Sequence, residues 1–149
     1  MAGMIGPMSI DVVYVAEATA SGGGRDGHVK SSDDRIDLET RPPKAAGGSG
    51  EGTNPEQLFA AGYATCFLGA LLMVARNGGV NLDSATGVTA QVGFGKDGDN
   101  GYGINAHLIG YLPGLSQGDA DELMANAHQV CPYSKATRGN IEVTVSAKI

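Results

Sequence analysis

Cysteine is scarce in this chain: two residues in 149, Cys66 and Cys131, stand 65 positions apart. That excludes a secreted disulfide framework, and no CxxC pair is present for zinc or thioredoxin-like chemistry. Basic residues are also few, 10 Lys and Arg against 16 Asp and Glu, for a net charge of −6. The acidic balance argues against nucleic acid and anionic membrane surfaces as partners. The opening MAGMIGPMSI has no basic n-region and no long h-region, so no signal peptide is expected. A cytoplasmic protein with two individually placed thiols is the default. A length of 149 residues suits a single domain spanning 1–149 with a sizeable core, residues 1–8 forming a loose leader.

Long apolar runs are lacking too, with one exception. NPEQLFAAGYATCFLGALLMVARNG, Asn54 to Gly78, carries Cys66 near its middle. Asn54 before Pro55, with Gln57 three residues on, predicts an N-cap, a first-turn proline and a capping box. Gly78-Gly79 supplies the stop, and Arg76 suits the negative end of the helix dipole. From Leu58 to Ala75 no side chain is charged. Such a run is long enough to span a membrane, but Gly62, Tyr63, Thr65 and Gly69 dilute it and no second run accompanies it. A helix apolar all round is expected to be buried on all sides.

Around it the pattern alternates. Ile10–Ala20 reads as a strand, Ser21–Gly24 as a turn delivering Arg25 and Asp26, and His28–Ser32 as a second strand. Arg35–Thr40 is a third, with Ile36 and Leu38 inward, completing an antiparallel meander. Two prolines and four glycines in RPPKAAGGSGEGT, residues 41–53, exclude regular structure there. Thr86–Phe94 and Tyr102–Leu112 read as a hairpin turning at KDGDNG. Ser116 and Asp119 begin a second helix whose apolar face, Ala120, Leu123, Met124 and Ala127, extends in register to Cys131. Pro132 should end that helix, and Asn140–Ile149 closes the chain as a strand. The order βββ–α–ββ–α–β is an α+β fold of antiparallel sheet on two helices.

A cysteine inside a helix is most often a small buried hydrophobe. Here register points Cys131 at the core that Cys66 occupies, and Arg25 sits in a glycine-rich turn where a cation can approach a thiol and lower its pKa. A metal reading would use His128, Cys131 and Cys66, with His28 or His107 in reserve, but the spacing is weak for zinc. A Cys–His hydrolase lacks a histidine assigned to Cys66.

GGRDGHVKSSD around Arg25, EGTNPEQLFAAGYATCFLGAL around Glu56 and Cys66, and VCPYSKATRGNI around Cys131 resemble the organic hydroperoxide resistance (Ohr) proteins of the OsmC-like superfamily. The resemblance runs from Val13 to the C-terminus. It implies an OsmC-like fold, antiparallel sheets around two central helices, in an intertwined homodimer. It also implies a thiol peroxidase acting on organic and fatty-acid hydroperoxides. Cys66 matches the peroxidatic thiolate, Cys131 the resolving thiol that forms a disulfide with it, and Arg25 and Glu56 the charged pair at the reactive sulfur. No bound cofactor is implied; the reductant is an external dithiol, dihydrolipoamide or a lipoylated protein. Lys135 departs from the family pattern, where a neutral residue is expected. OsmC proper is the nearest alternative, and a non-enzymatic thiol sensor is the rival class.

The residues support that chemistry. A buried thiol has a raised pKa and is disarmed; a guanidinium restores the thiolate and can stabilise a leaving alkoxide, and Glu56 would clamp it. Ten residues separate Glu56 from Cys66, about 15 Å along a straight helix. Either Glu56 crosses a dimer interface or the helix bends at Gly62.

Overall fold

The computed structural model describes residues 9–99 and 101–149; the expected leader, 1–8, lies outside them. The chain divides into two compact units, one ending at Thr53 and one running Asn54–Ile149.

In the first unit β1 (Ala18–Gly23), β2 (Asp26–Ser31) and β3 (Asp37–Thr40) form the expected antiparallel meander. Gly24, φ 70°, takes the first central position of the β1–β2 turn, where L side chains are strained, and Arg25 takes the second. The first expected strand is corrected. Ile10–Glu17 makes no ladder, and Val13 is 99% exposed; β1 instead begins at Ala18 and runs through the glycines read as a turn. Alternation of β-branched residues marks a segment that can pair, whereas pairing here follows from the register set at Gly24-Arg25. Ile36 is likewise exposed and precedes β3. The loop after β3 holds one short 3-10 turn, Lys44–Ala46, where no regular structure was expected.

In the second unit α1 (Pro55–Asn77) starts on the predicted capping box. Asn54 Oδ1 accepts from Gln57 N–H at 2.8 Å, and Gln57 Oε1 accepts from Asn54 N–H at 3.1 Å. Next come β4 (Gly87–Lys96), β5 (Tyr102–Tyr111), α2 (Gln117–Val130), a short α3 (Pro132–Thr137) and β6 (Val143–Lys148). β4 and β5 pair antiparallel as expected, but β6 lies parallel to β5. A parallel partner needs a long crossover, and the segment containing α2 and α3 provides it. The α+β architecture stands with that one pairing changed and one helix added.

α1 packs on β4 and α2, and α2 on β6. Tyr63, Phe67 and Leu71 from α1, Leu108 from β5, Leu112, and Ala120, Met124 and Ala127 from α2 form the core. Gly110 is bare because a Cβ there would overlap the Met124 sulfur. By length and composition α1 could cross a membrane, but Tyr63, Phe67 and Leu71 are fully buried in the core. Its opposite face corrects the expectation of burial on all sides: Ala61, Thr65, Gly69, Leu72 and Met73 are exposed. Absence of charge shows only that a face avoids water, not that the same chain covers it.

Candidate active site

Pro132 determines the geometry at the second cysteine. It disfavours α conformation at Cys131 and fits the first position of a new helix. Cys131 is therefore both the C-cap of α2 and the N-cap of α3, with φ −65° and ψ 124°. Its N–H donates to Ala127 O at 2.9 Å and its carbonyl accepts from Lys135 N–H at 3.0 Å. The kink directs its side chain at α1, where Cys131 Sγ lies 3.6 Å from Cys66 Sγ. Both thiols are free, Cys131 fully buried and Cys66 partly exposed. A disulfide needs about 2.05 Å between the sulfurs, so an approach of roughly 1.5 Å would close it.

Burial pushes the Cys66 thiol up from its ordinary value, and the neighbouring Cys131 adds to that rise. The Tyr133 backbone N–H, hydrogen-bonded to the Cys66 sulfur, works in the opposite direction. It is one of the first amides of α3, which have no partner within the helix. The same residue's ring lies on Gly62, where an added Cβ would come within 3.1 Å of Tyr133 Cε2 and 3.2 Å of its hydroxyl. Phe59 and Tyr63 complete an aromatic cluster with Tyr133, ring centroids 5.9–6.4 Å apart. Gly62, noted in the sequence as a possible bend, admits this ring.

A buried polar network adjoins the thiols. Tyr63 Oη lies 2.8 Å from Ser134 Oγ and 3.1 Å from Thr137 Oγ1, and Ser134 Oγ lies 2.8 Å from His128 Nδ1. Arg138 donates to the His128 carbonyl at 2.6 Å. Burial, and then the Arg138 charge, hold the His128 imidazole below its ordinary range. Nδ1 of a neutral imidazole donates or accepts according to its tautomer, and the Ser134 hydroxyl takes the complementary role while also bonding to Tyr63. Neither this network nor the Tyr133 amide figures in the sequence reading. Tyr63 was the available signal, because a tyrosine in a charge-free core helix needs a partner for its hydroxyl.

The structure brings Cys66 and Cys131 together. Glu56 is in the first turn of α1, where an acidic side chain suits the dipole, ten residues before Cys66. Arg25 is at the β1–β2 turn of the first unit. His107 Nε2 lies 3.0 Å from Ser146 Oγ across β5 and β6, and His28 is held on the meander by Asp37 and Glu39. Among the described residues no group of three or more His, Cys, Asp and Glu could hold a metal ion.

The family model for OsmC-like protein matches residues 48–146. An organic hydroperoxide resistance protein of Xanthomonas axonopodis pv. citri is 47% identical over 136 residues, 91% of this chain and 94% of that one. The crystal structure of the organic hydroperoxide resistance protein OhrB of Bacillus subtilis superposes with a TM-score of 0.83 at 44% identity, covering 92% of this chain and all of that one. That of an organic hydroperoxide resistance protein from Elizabethkingia anophelis, with thiocyanate bound, gives 0.86 at 44% identity over 93% and 99%. With a thiol pair at the heart of this fold, the chain belongs to the OsmC-like family, in its organic hydroperoxide resistance branch.

Proposed function

We propose that the chain is a thiol peroxidase that reduces organic hydroperoxides to alcohols and is recycled by dihydrolipoyl groups. The observation that carries this reading is the 3.6 Å separation of a partly exposed Cys66 sulfur and a fully buried Cys131 sulfur. The accessible thiol meets substrate, and the hidden one is accessible only to the first. The Cys66 thiolate attacks the peroxide, an S–O bond forms as O–O breaks, and the alkoxide leaves as an alcohol after taking a proton. Cys131 sulfur then displaces hydroxide from the Cys66 sulfenic acid, giving a disulfide and, with the thiol proton, water. A dihydrolipoyl dithiol, free or on a lipoylated protein, takes the oxidation as its own cyclic disulfide.

Burial opposes the thiolate this mechanism needs, so activation must come from charge. Arg25 and Glu56 fill that role by resemblance to the family. The open face of α1 supports a homodimer, with a second copy of the chain covering Leu72 and Met73. The approximately 15 Å between Glu56 and Cys66 along α1 supports a composite site in which Glu56 acts across that interface. Aromatic walls at Phe59 and Tyr133 suit an alkyl group better than hydrogen peroxide. Two unpaired thiols suit the cytoplasm, and the whole chain, 1–149, acts as one domain. Steady-state turnover of cumene or fatty-acid hydroperoxide with dihydrolipoamide or thioredoxin as donor tests the reading. Many equivalents consumed with the lipoyl donor are expected; consumption of about one equivalent per chain would make it a sensor instead.

A further inference from the structure

Helix α3 is six residues long, too short to hold its place by its own hydrogen bonds. Yet it carries two groups that act on Cys66: Cys131 at its N-cap and the Tyr133 amide two residues on. Pro132, Tyr133, Lys135 and Ala136 are exposed, and the buried side chains of the helix, Ser134 and Thr137, are both polar. Hydrogen bonds to Tyr63 on α1 and His128 on α2 therefore anchor its buried side, beside the contacts of the Tyr133 ring with Phe59 and Tyr63.

The anchor is in register with the thiols. Tyr63 precedes Cys66 by three residues on α1, and Ser134 follows Cys131 by three, so the two contacts are successive rungs between the same segments running in opposite directions. One rung is a 2.8 Å hydrogen bond and the next is the 3.6 Å sulfur pair. Residues three apart on a helix share a face, so fixing the first rung aims the second.

We propose that Ser134, hydrogen-bonded between Tyr63 and His128, is a positioning residue for disulfide formation, setting the approach of Cys131 to oxidised Cys66. The inference rests on the thiol-peroxidase reading but concerns the second step. Once Cys66 is a sulfenic acid, closure competes with further attack by peroxide to sulfinic acid, and the outcome depends on how well Cys131 is held. Loosening α3 lowers the effective concentration of Cys131 at Cys66 without removing either thiol. Tyr63 is the partner that sets the position of α3, and His128 closes the network from α2.

Ser134→Ala, Tyr63→Phe and the double variant test this. In each, disulfide closure after a single peroxide addition should slow about tenfold, the scale of one lost buried hydrogen bond. The rate of peroxide reduction per Cys66 thiolate should change little. Sulfinic acid at Cys66 should appear at about tenfold lower peroxide, and the double variant should resemble either single one, as residues of one network do. A second measurement is independent of peroxidase activity: the equilibrium of the Cys66–Cys131 disulfide with glutathione. The effective concentration should fall about tenfold in the variants. If the wild type turns over no hydroperoxide, the peroxidase reading fails while this equilibrium still tests the anchor. Wild-type closure and wild-type equilibrium in folded Tyr63→Phe, which removes one oxygen from the core, would overturn the inference, even if Ser134→Ala does not fold.

Discussion

The ring of Tyr133 rests on the bare backbone of Gly62, one helical turn before Cys66, at a distance that leaves no room for a relaxed side chain. Glycine inside a helix costs about 1 kcal/mol relative to alanine, so its presence in α1 has a local reason. Tyr133 is 42% exposed and its ring can tilt away. Gly62→Ala is therefore expected to raise stability by up to about 1 kcal/mol while displacing the ring from the approach to Cys66. Turnover of a bulky alkyl hydroperoxide should fall several-fold. A lower melting temperature with unchanged activity would mean that the ring cannot yield and does not face substrate.

How much of this arrangement is legible in the residues depends on how locally it is determined. The capping box at Asn54 and Gln57 and the apolar face of α2 are set within a few residues, and both are read correctly. The break at Cys131 is local too, because Pro132 acts on its neighbour. What Pro132 starts carries no local mark: the same proline that ends α2 opens α3, and PYSKAT has no apolar period to signal a helix. Ile10–Glu17 shows the converse, since its alternation is strong but its pairing depends on a partner elsewhere. The parallel pairing of β6 and the open face of α1 are tertiary facts that no window of sequence contains. Cys66 and Cys131 were pointed at one another by register, but the Tyr133 amide and the Ser134 anchor depend on side chains meeting across three helices.

The two cysteines should separate cleanly by substitution. Cys66→Ser is expected to abolish peroxide reduction with the fold intact. Cys131→Ser should keep the first turnover and then accumulate sulfenic and sulfinic acid at Cys66. One equivalent of organic hydroperoxide should produce an intramolecular Cys66–Cys131 disulfide in the wild type. Peptide mapping that finds only bridges between chains would remove Cys131 from the resolving role.

The exposed face of α1 leads to a solution measurement. Leu72 is 47% exposed and Met73 39% on a helix with no charge between Leu58 and Ala75. Sedimentation at micromolar concentration should give the mass of a homodimer, and Leu72→Glu should shift it towards monomer. A monomeric wild type would remove the composite-site argument for Glu56.

Two histidines should titrate on opposite sides of their ordinary value of 6.5. His28 is raised by its hydrogen bonds to Glu39, at 2.7 Å, and Asp37. The folded state binds the extra proton, so this contribution is complete below 6.5 and lost as pH rises through the folded pKa. His128 is lowered by burial and by Arg138. There the unfolded chain binds the proton more readily, so stability is complete above 6.5 and declines as pH falls from 6.5 to the folded pKa. Imidazole NMR titration checks both directions, and Glu39→Gln should bring His28 down. Coincident curves would remove both environments.

The last expectation concerns the charge state of Cys66, on which the proposed chemistry turns. Burial raises its pKa above the ordinary thiol value, the hydrogen bond and charge of Cys131 raise it further, and only the Tyr133 amide among these opposes them. Replacing Cys131 with serine removes the neighbour that adds to this rise, so the Cys66 titration should move down relative to wild type. If Arg25 acts on Cys66 as proposed, replacing it with alanine should move the titration up, because a nearby guanidinium favours the thiolate. The rate of peroxide reduction at neutral pH should then fall by more than the thiolate fraction explains, since support for the leaving alkoxide is lost as well. Arg25→Lys should rescue only part of this, because an ammonium lacks the two-pronged geometry needed to hold Glu56 and the sulfur together. Thiolate absorbance and second-order peroxide rates against pH, for wild type, Cys131→Ser, Arg25→Ala and Arg25→Lys, measure all of these shifts. Superimposed curves for wild type and Arg25→Ala would make Arg25 an ordinary turn residue, and the thiolate would need another source of activation.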